Sequence, residues 1–197
     1  MKTITSTVYS FNELTDAAKK KALAWYRDGY EVDLSMTVEG FKLNIAPLFG
    51  FDVGRVYYSG FWSQGDGACF TGSWSAKDVV LHERLHEHIK EDTITALHKR
   101  MAMLAANWRE ATAKIDHRGR YYHEHCTVID FDPDQTIPED EFAGYEEEFC
   151  DIARSLMRWL YHSLEIDHEW QLSDEALTDS IIAADYDFTE DGKVFRS

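Results

Sequence analysis

Alternation of apolar and polar residues is clearest between Phe51 and Trp74, and this period of two predicts a pair of β-strands. The two halves are separated by Gln64-Gly65-Asp66-Gly67, whose glycines can adopt the positive φ angles of a turn. Strands and helices along the chain lack a regular βαβ rhythm, which favours an antiparallel sheet. The predicted strands lie near 3–9, 51–61, 68–74, 121–131 and, as an additional fifth, 186–195.

Apolar residues at spacings of three and four predict several amphipathic helices around this sheet. Ser10 to Glu13 has the sequence of a capping box, and the helix that follows is predicted to run to about Asp28. A stripe from Ile94 to Ile115 predicts a helix that is stopped by Gly119. Further helices are predicted at about 34–48, 76–89, 140–170 and 174–184. The expected fold class is therefore α+β: an antiparallel sheet of four to five strands packed against several amphipathic helices, with a long C-terminal helix, in a single domain over residues 1–197.

The net charge of −16 comes entirely from the last third of the chain. Residues 1–129 hold 16 acidic and 16 basic side chains, whereas residues 130–197 hold 20 acidic and four basic ones. This field would repel phosphates, which argues against direct nucleic-acid binding through the acidic part and favours a partner protein with a basic surface. The alternative role of the charge is simple solubility in a crowded cell. The predicted partner-binding residues are Glu146, Glu147, Glu148, Asp151, Asp167, Asp174, Glu175 and Asp179.

One acidic stretch has the spacing of a calcium-binding loop. Asp130, Asp132, Asp134 and Glu141 stand at positions 1, 3, 5 and 12 of an EF-hand pattern and are the candidate calcium ligands. Gln135 occupies the position where the loop needs glycine for its sharp turn. The alternative is an acidic connection whose carboxylates complement the N-terminus of the next helix. The sequence therefore favours no cofactor, with calcium as the alternative.

Histidines suggest two further metal sites, both weaker. His82-Glu83-Arg84-Leu85-His86 matches the H-E-x-x-H pattern of zinc proteases. The charged residues Arg84 and Glu87 suit a solvated helix surface better than a buried metal site. His123 and His125 are expected on one face of a strand, with Cys126 on the other.

The chain has no apolar leader and only three widely spaced cysteines, which predicts reduced thiols in a cytoplasm. No apolar run approaches the ~18 residues of a membrane span, so no membrane association is expected.

Three stretches together resemble a group of bacteriophage and prophage proteins, some labelled antitoxin-like and most of unknown function. They are Tyr9-Ser10-Phe11-Asn12-Glu13-Leu14, Gly60-Phe61-Trp62-Ser63-Gln64-Gly65-Asp66-Gly67-Ala68-Cys69-Phe70-Thr71-Gly72 and Phe188-Thr189-Glu190-Asp191-Gly192, with nearby residues. The resemblance implies a phage-borne accessory protein in a bacterial cytoplasm, and it transfers no catalytic residue. The expected function is non-enzymatic: binding and neutralising a host defence protein or toxin, with nucleic-acid charge mimicry as one route. The alternatives are a metal-binding protein or hydrolase, and a phage housekeeping protein.

Overall fold

The structure is a computed structural model that describes residues 6–81, 91–133 and 139–196, with side chains described outside residues 139–141. Its chain divides into two compact units. We name Met1–Leu34 together with Ile166–Ser197 the terminal unit, and Ser35–Glu165 the sheet unit. The expectation of a single domain over residues 1–197 stays a prediction.

The sheet unit contains a four-stranded antiparallel sheet in which neighbours along the chain are also neighbours in the sheet, in the order β1-β2-β3-β4. Together with the helices, this sheet confirms the α+β class. The pairing of β1 with β2 is irregular, because its register shifts between Phe49 and Phe51, where the extra residues lie in β2, and again between Val53 and Arg55, where the extra residue lies in β1. The strands are β1 (Phe49–Tyr58), β2 (Ala68–Val79), β3 (Thr112–His117) and β4 (Thr127–Asp132).

The helices of the described residues include the long C-terminal one that the sequence predicts. α4 has 33 residues, of which those up to 165 belong to the sheet unit and the rest to the terminal unit. The helix bounds are α1 (Asp16–Asp28), α2 (Ser35–Gly40), α3 (Asp92–Asn107), α4 (Glu139–Gln171) and α5 (Asp174–Ala183). In the part of the chain that the structure describes, every helix is too short or too polar to cross a lipid bilayer.

One row of side chains crosses the inward face of the sheet and forms the centre of its core. Phe51 lies opposite Trp74, Trp74 opposite Ala113, and Ala113 opposite Phe131. Phe149 of α4 packs on this inward row, with its ring centroid 4.6 Å from that of Trp74 and 5.1 Å from that of Phe131. Because side chains alternate along a strand, this buried row fixes which residues of all four strands face outward.

The predicted helix that ends at Gly119 is wrong in its last part, because α3 ends at Asn107 and residues 112–117 form β3. The stripe from Ile94 was extended through Ala111 to Ile115, which are four positions apart. A separation of four fits both a helical turn and a strand with period two. In the structure Ala113 and Ile115 are buried, and the residues between and beside them are exposed.

Other strand and helix limits also differ from the prediction. β2 continues to Val79, so the start of the predicted helix at 76–89 is strand, and residues 82–90 lie outside the described residues. β4 begins only at Thr127, after a 3₁₀ turn. Among the described residues, the segments 6–9 and 186–195 add no strand to the sheet, because they form only isolated bridges at Phe188.

The terminal unit has its own core of buried residues from both ends of the chain. The predicted capping box is present, since the backbone N–H and the hydroxyl of Ser10 both donate to the Glu13 carboxylate at 2.8 Å. It caps only a 3₁₀ turn, however, and α1 begins later with Thr15 as its own N-cap. The buried core residues are Phe11, Leu14, Ala18, Ala22, Ile181 and Phe188.

The turn at Asp191-Gly192, near the C-terminus, packs directly against α1. Thr189 and Lys193 close the turn through a backbone hydrogen bond of 2.9 Å, and Gly192 has a φ of +82°. A Cβ atom at Gly192 would lie 2.2 Å from the carbonyl oxygen of Ala18. Glycine is therefore required here both for its backbone conformation and for lack of space.

We expect Gly192→Ala to lower the free energy of unfolding by about 1–3 kcal/mol, because the side chain adds backbone strain and a clash with α1. Gly144→Ala is the matched control, since this glycine lies within α4 with no neighbour within 4 Å of the new methyl group. The control should raise the free energy of unfolding by roughly 0.5–1 kcal/mol. Urea denaturation measures both, and a Gly192→Ala variant as stable as the parent would contradict the packing described.

Candidate functional site

The eight predicted partner-binding carboxylates fall into two groups. Four lie on α4 in the sheet unit, and four lie in the terminal unit. Their surroundings decide whether each carboxylate is available to another molecule. The sheet-unit group is Glu146, Glu147, Glu148 and Asp151, and the terminal-unit group is Asp167, Asp174, Glu175 and Asp179.

Half of the sheet-unit group is bound to arginines of the same unit. Arg100 of α3 donates from Nε and Nη2 to the two oxygens of Glu148, at 2.8 and 2.9 Å, and from Nη2 to Asp151 at 2.8 Å. These contacts, Glu148 first, raise the pKa of the Arg100 guanidinium further above its ordinary value. Arg158 lies 3.9 Å from the other oxygen of Asp151 and 3.3 Å from Glu124. We call Arg100 with Glu148 and Asp151 the Arg100 clamp.

Glu146 and Glu147 make no ion pair or side-chain hydrogen bond within the described residues. They line a surface groove of about 390 Å³ that also contains Arg154 and Arg158. This side of α4 therefore carries carboxylates followed by guanidinium groups, so it is a mixed surface and not a field of one sign.

In the terminal unit, the carboxylates near the start of α5 have local structural roles. Asp174 forms an ion pair with Arg27, whose Nε also donates to the carbonyl of Leu172 at 3.2 Å. Asp174 and Glu175 occupy the first turn of α5, where negative charge stabilises the helix dipole. Asp167 accepts a hydrogen bond of 2.9 Å from Gln171. Within the part of the chain that the structure describes, Glu175 and Asp179 form no ion pair.

A second acidic surface lies on the outward side of the sheet, which the sequence analysis did not identify as one site. Two rows of residues cross it, and small side chains at Ser73, Ser75 and Thr112 leave a shallow groove of about 670 Å³. One row runs Asp52, Ser73, Lys114, Asp130, and the next runs Ser75, Thr112, Asp132. We call this surface, with Asp116 beside Lys114 and Asp78 at the rim of the groove, the open face.

Charge on the open face is poorly balanced. Lys114 is its one basic residue among those that line the groove, and its Nζ lies 2.6 Å from Asp116. That hydrogen bond is the main reason that the pKa of Lys114 is raised, with a smaller contribution from the nearby charge of Asp130. Asp52, Asp78 and Asp132 are exposed and have no ion pair or side-chain hydrogen bond among the described residues.

Two of the four candidate calcium ligands belong to this open face. Asp130 and Asp132 are exposed on β4, two positions apart on the same side of the strand. Asp134 and the side chain of Glu141 lie outside the described residues, as does the His82–His86 motif. Over residues 6–81, 91–133 and 139–196, no three His, Cys, Asp or Glu side chains are grouped as a metal ion would require. Calcium binding stays a prediction.

The prediction that His123 and His125 lie on one face of a strand is wrong. Residues 124–126 form a 3₁₀ turn, and the Nδ1 atom of His123 accepts a hydrogen bond of 3.1 Å from the backbone N–H of His125. The sequence contains no strong turn former here, so only the pairing of β4 from Thr127 onward shows where the strand begins.

The three cysteines are free thiols in different surroundings. Cys69 is fully buried, and burial raises its pKa to about 12. Cys150 is half-buried, and burial raises its pKa as well. A neutral thiol is a poor nucleophile, so neither residue has the properties of a catalytic cysteine at neutral pH.

Comparison with known proteins gives one result. The family described as Domain of unknown function (DUF8835) matches residues 13–174. No curated protein and no solved structure gives a significant match.

The Arg100 clamp predicts that the three consecutive glutamates of α4 are not equivalent. We expect Glu148→Gln to lower the free energy of unfolding by about 0.5–1 kcal/mol, because a bidentate ion pair between α3 and α4 is lost. Glu147→Gln, one position away, should leave it unchanged. Urea denaturation at low salt measures both variants, and the difference should shrink in high salt. Equal stability of the two variants would show that the clamp contributes nothing.

Burial of Cys69 predicts selective thiol labelling. In native protein at pH 8, a disulfide reagent should modify Cys126 and Cys150 and leave Cys69 unmodified until the protein unfolds.

Because its pKa is raised, neutral Cys69 contributes stability that is complete below its ordinary pKa of 9.0 and is lost as the pH rises toward about 12. Above pH 9, the free energy of unfolding of Cys69→Ala should therefore fall less steeply with rising pH than that of the parent. Rapid labelling of Cys69 in the native protein would contradict its burial.

Proposed function

We propose that this chain, which belongs to the DUF8835 family, is a non-enzymatic binding protein that presents carboxylates to a basic surface of a partner protein in a bacterial cytoplasm. The observation that supports the proposal best is the open face, where five aspartates surround a groove that contains one lysine.

Contact through the open face is favoured over contact through α4 because of where positive charge already lies. On α4, Glu148 and Asp151 are neutralised by arginines of the same unit. On the open face, Asp52 and Asp132 have no such partner among the described residues. Like charges held close together repel one another, and a bound cationic surface would relieve that repulsion. Complementary charge of this kind mainly accelerates encounter and selects partners.

The size of the open face sets an expectation for affinity. Four strands spaced about 4.8 Å apart and six residues long cover roughly 400 Å². A standard interface buries about 800 Å² on each partner. The open face alone would therefore support a weak, salt-sensitive complex, and a tight complex would need neighbouring surface as well.

The resemblance to phage and prophage proteins extends the proposal to the kind of partner. In that setting, the partner would be a host defence protein or a toxin, and the chain would neutralise it by occupying the basic surface that nucleic acid uses. Aspartates spaced by the strand and inter-strand distances of a sheet offer a partly regular array of negative charge.

The test compares two variants that lose the same number of charges at different places. The open-face variant carries Asp52→Asn, Asp130→Asn and Asp132→Asn. The control carries Glu146→Gln, Glu147→Gln and Asp179→Asn, three exposed or partly exposed carboxylates that also lack ion pairs within the described residues and lie outside the first turn of α5. Both variants should unfold at the same denaturant concentration as the parent or slightly higher, because repulsion is reduced.

Binding is measured first with a short arginine-rich peptide, and then with proteins that co-purify from phage-infected cells. We expect the open-face variant to bind the peptide about tenfold more weakly, since three exposed charge contacts of about 0.5 kcal/mol each sum to roughly the 1.4 kcal/mol of a tenfold change. The control should bind as the parent does, and association should slow as salt is added. Equal losses in both variants would mean that overall charge alone governs binding. A loss confined to the control would transfer the interface to the carboxylates of α4 and α5.

A further inference from the structure

The terminal unit contains a second feature that the acidic surfaces do not explain, a pocket of about 500 Å³ at the end of α1. Four aromatic residues form most of its wall: Trp25, Tyr26, Tyr30 and Tyr186. Its volume falls within the roughly 300–1,000 Å³ that is usual for ligand pockets. We call it the aromatic pocket.

The rings of the aromatic pocket meet at steep angles. The ring of Tyr186 lies 5.4 Å from that of Trp25 at an interplanar angle of 86°, and 5.9 Å from that of Tyr26 at 65°. Tyr30 lies 5.8 Å from Tyr26 at 43°. The four side chains line one shared space and supply aromatic surface to whatever occupies it. All four rings are only partly buried; Trp25, Tyr26 and Tyr186 also pack against the core cluster, whereas Tyr30 does not.

Local structure explains how these rings come together. Tyr26 lies in the last turn of α1, and Tyr30 follows two residues after its end, where the backbone N–H of Tyr30 donates to the carbonyl of Arg27 at 3.3 Å. Tyr186 follows Asp185, the one described residue other than glycine with a positive φ, at 54°. This left-handed residue turns the chain back immediately after α5, and Phe188 then enters the core beside Trp25.

Negative charge also lies beside the aromatic pocket, from the C-terminal end of α1 and from a carboxylate. α1 ends at Asp28, and the C-terminal end of a helix carries a partial negative charge. The carboxylate of Glu31 lines the pocket and forms no ion pair among the described residues. Arg27, in the last turn of α1, is engaged elsewhere by Asp174 and by the carbonyl of Leu172.

Aromatic π faces, a helix C-terminus and a carboxylate all attract the same kind of ligand, which is an organic cation. We propose that the aromatic pocket binds an alkylated ammonium or guanidinium group. The group could belong to a small molecule or to a lysine or arginine side chain of a partner protein. This proposal does not depend on the open face, which lies in the sheet unit.

One residue of the pocket opposes a cation. Arg196 lines the aromatic pocket, and no ion pair of Arg196 is present within the described residues. Its guanidinium competes with an added cation for the same negative potential. Removing its charge should therefore strengthen binding of a cation, whereas a pocket built for an anion would be weakened by the same change.

The experiment compares choline with its neutral analogue 3,3-dimethyl-1-butanol, which has the same shape without the charge. The indole N–H signal of Trp25, assigned by Trp25→Phe, reports binding in nuclear magnetic resonance titrations. We expect choline to bind in the millimolar range, since each cation–π contact is worth about 0.5–2 kcal/mol, and the neutral analogue to bind at least about fivefold more weakly. An arginine-containing peptide forms the second arm, and tighter binding of either cation identifies the source of the natural group.

Variants then test the pocket itself. Tyr30→Leu removes one ring that is not part of the core cluster, and Glu31→Gln removes the carboxylate; both should weaken choline binding several-fold. Tyr121→Leu is the control, because Tyr121 is an exposed tyrosine of the sheet unit. Arg196→Gln should tighten binding. Equal binding of choline and its neutral analogue would overturn the proposal, as would no response of Trp25 to either cation, or weaker binding in Arg196→Gln.

Discussion

The inward row of Phe51, Trp74, Ala113 and Phe131 is the constraint on which the sheet unit depends. Trp74 is 1% exposed, and its indole N–H donates to the carbonyl of Phe49 at 2.7 Å. The ring is therefore buried without leaving its polar atom unpaired. Phe149 of α4 closes the row from above the sheet. A shift of any strand by one residue would exchange its buried and exposed side chains, so this row also determines the composition of the open face.

The two faces of the sheet therefore differ for one reason. Large rings fill the side that α4 covers, and short polar side chains with aspartates occupy the other. Lys114 is flanked by Asp116 along its own strand and by Asp130 on the next strand, so its charge is already shared. A sheet face of short polar side chains and aspartates is stable in water without a covering helix. It retains a net negative charge that can attract a cationic surface.

Sequence periodicity was sufficient for the elements whose pattern fits one structure only. The hairpin of β1 and β2 and the stripe of α4 were predicted because their repeats are long. β3 was missed because Ala111 and Ile115 satisfy a helical and an extended spacing equally well. Pairing of carboxylates could not be predicted at all: Arg100 and Glu148 are 48 positions apart, and nothing in either neighbourhood indicates the contact. For the same reason, Asp52 could not be joined to Asp130 and Asp132 before the strand order was known.

The irregular register of β1 has a consequence for how copies of this chain behave in a crowded cell. β1 is the first strand in the order of the sheet, so one of its sides has no neighbouring strand among the described residues. An exposed strand border with regular spacing is a template on which identical chains can polymerise. An extra residue of β1, Gly54, interrupts that template, because Val53 and Arg55 face consecutive residues of β2 and an incoming backbone cannot match the spacing of β1 over its full length. Gly54 therefore makes the border of β1 a poorer template for polymerisation than a regular strand of ten residues.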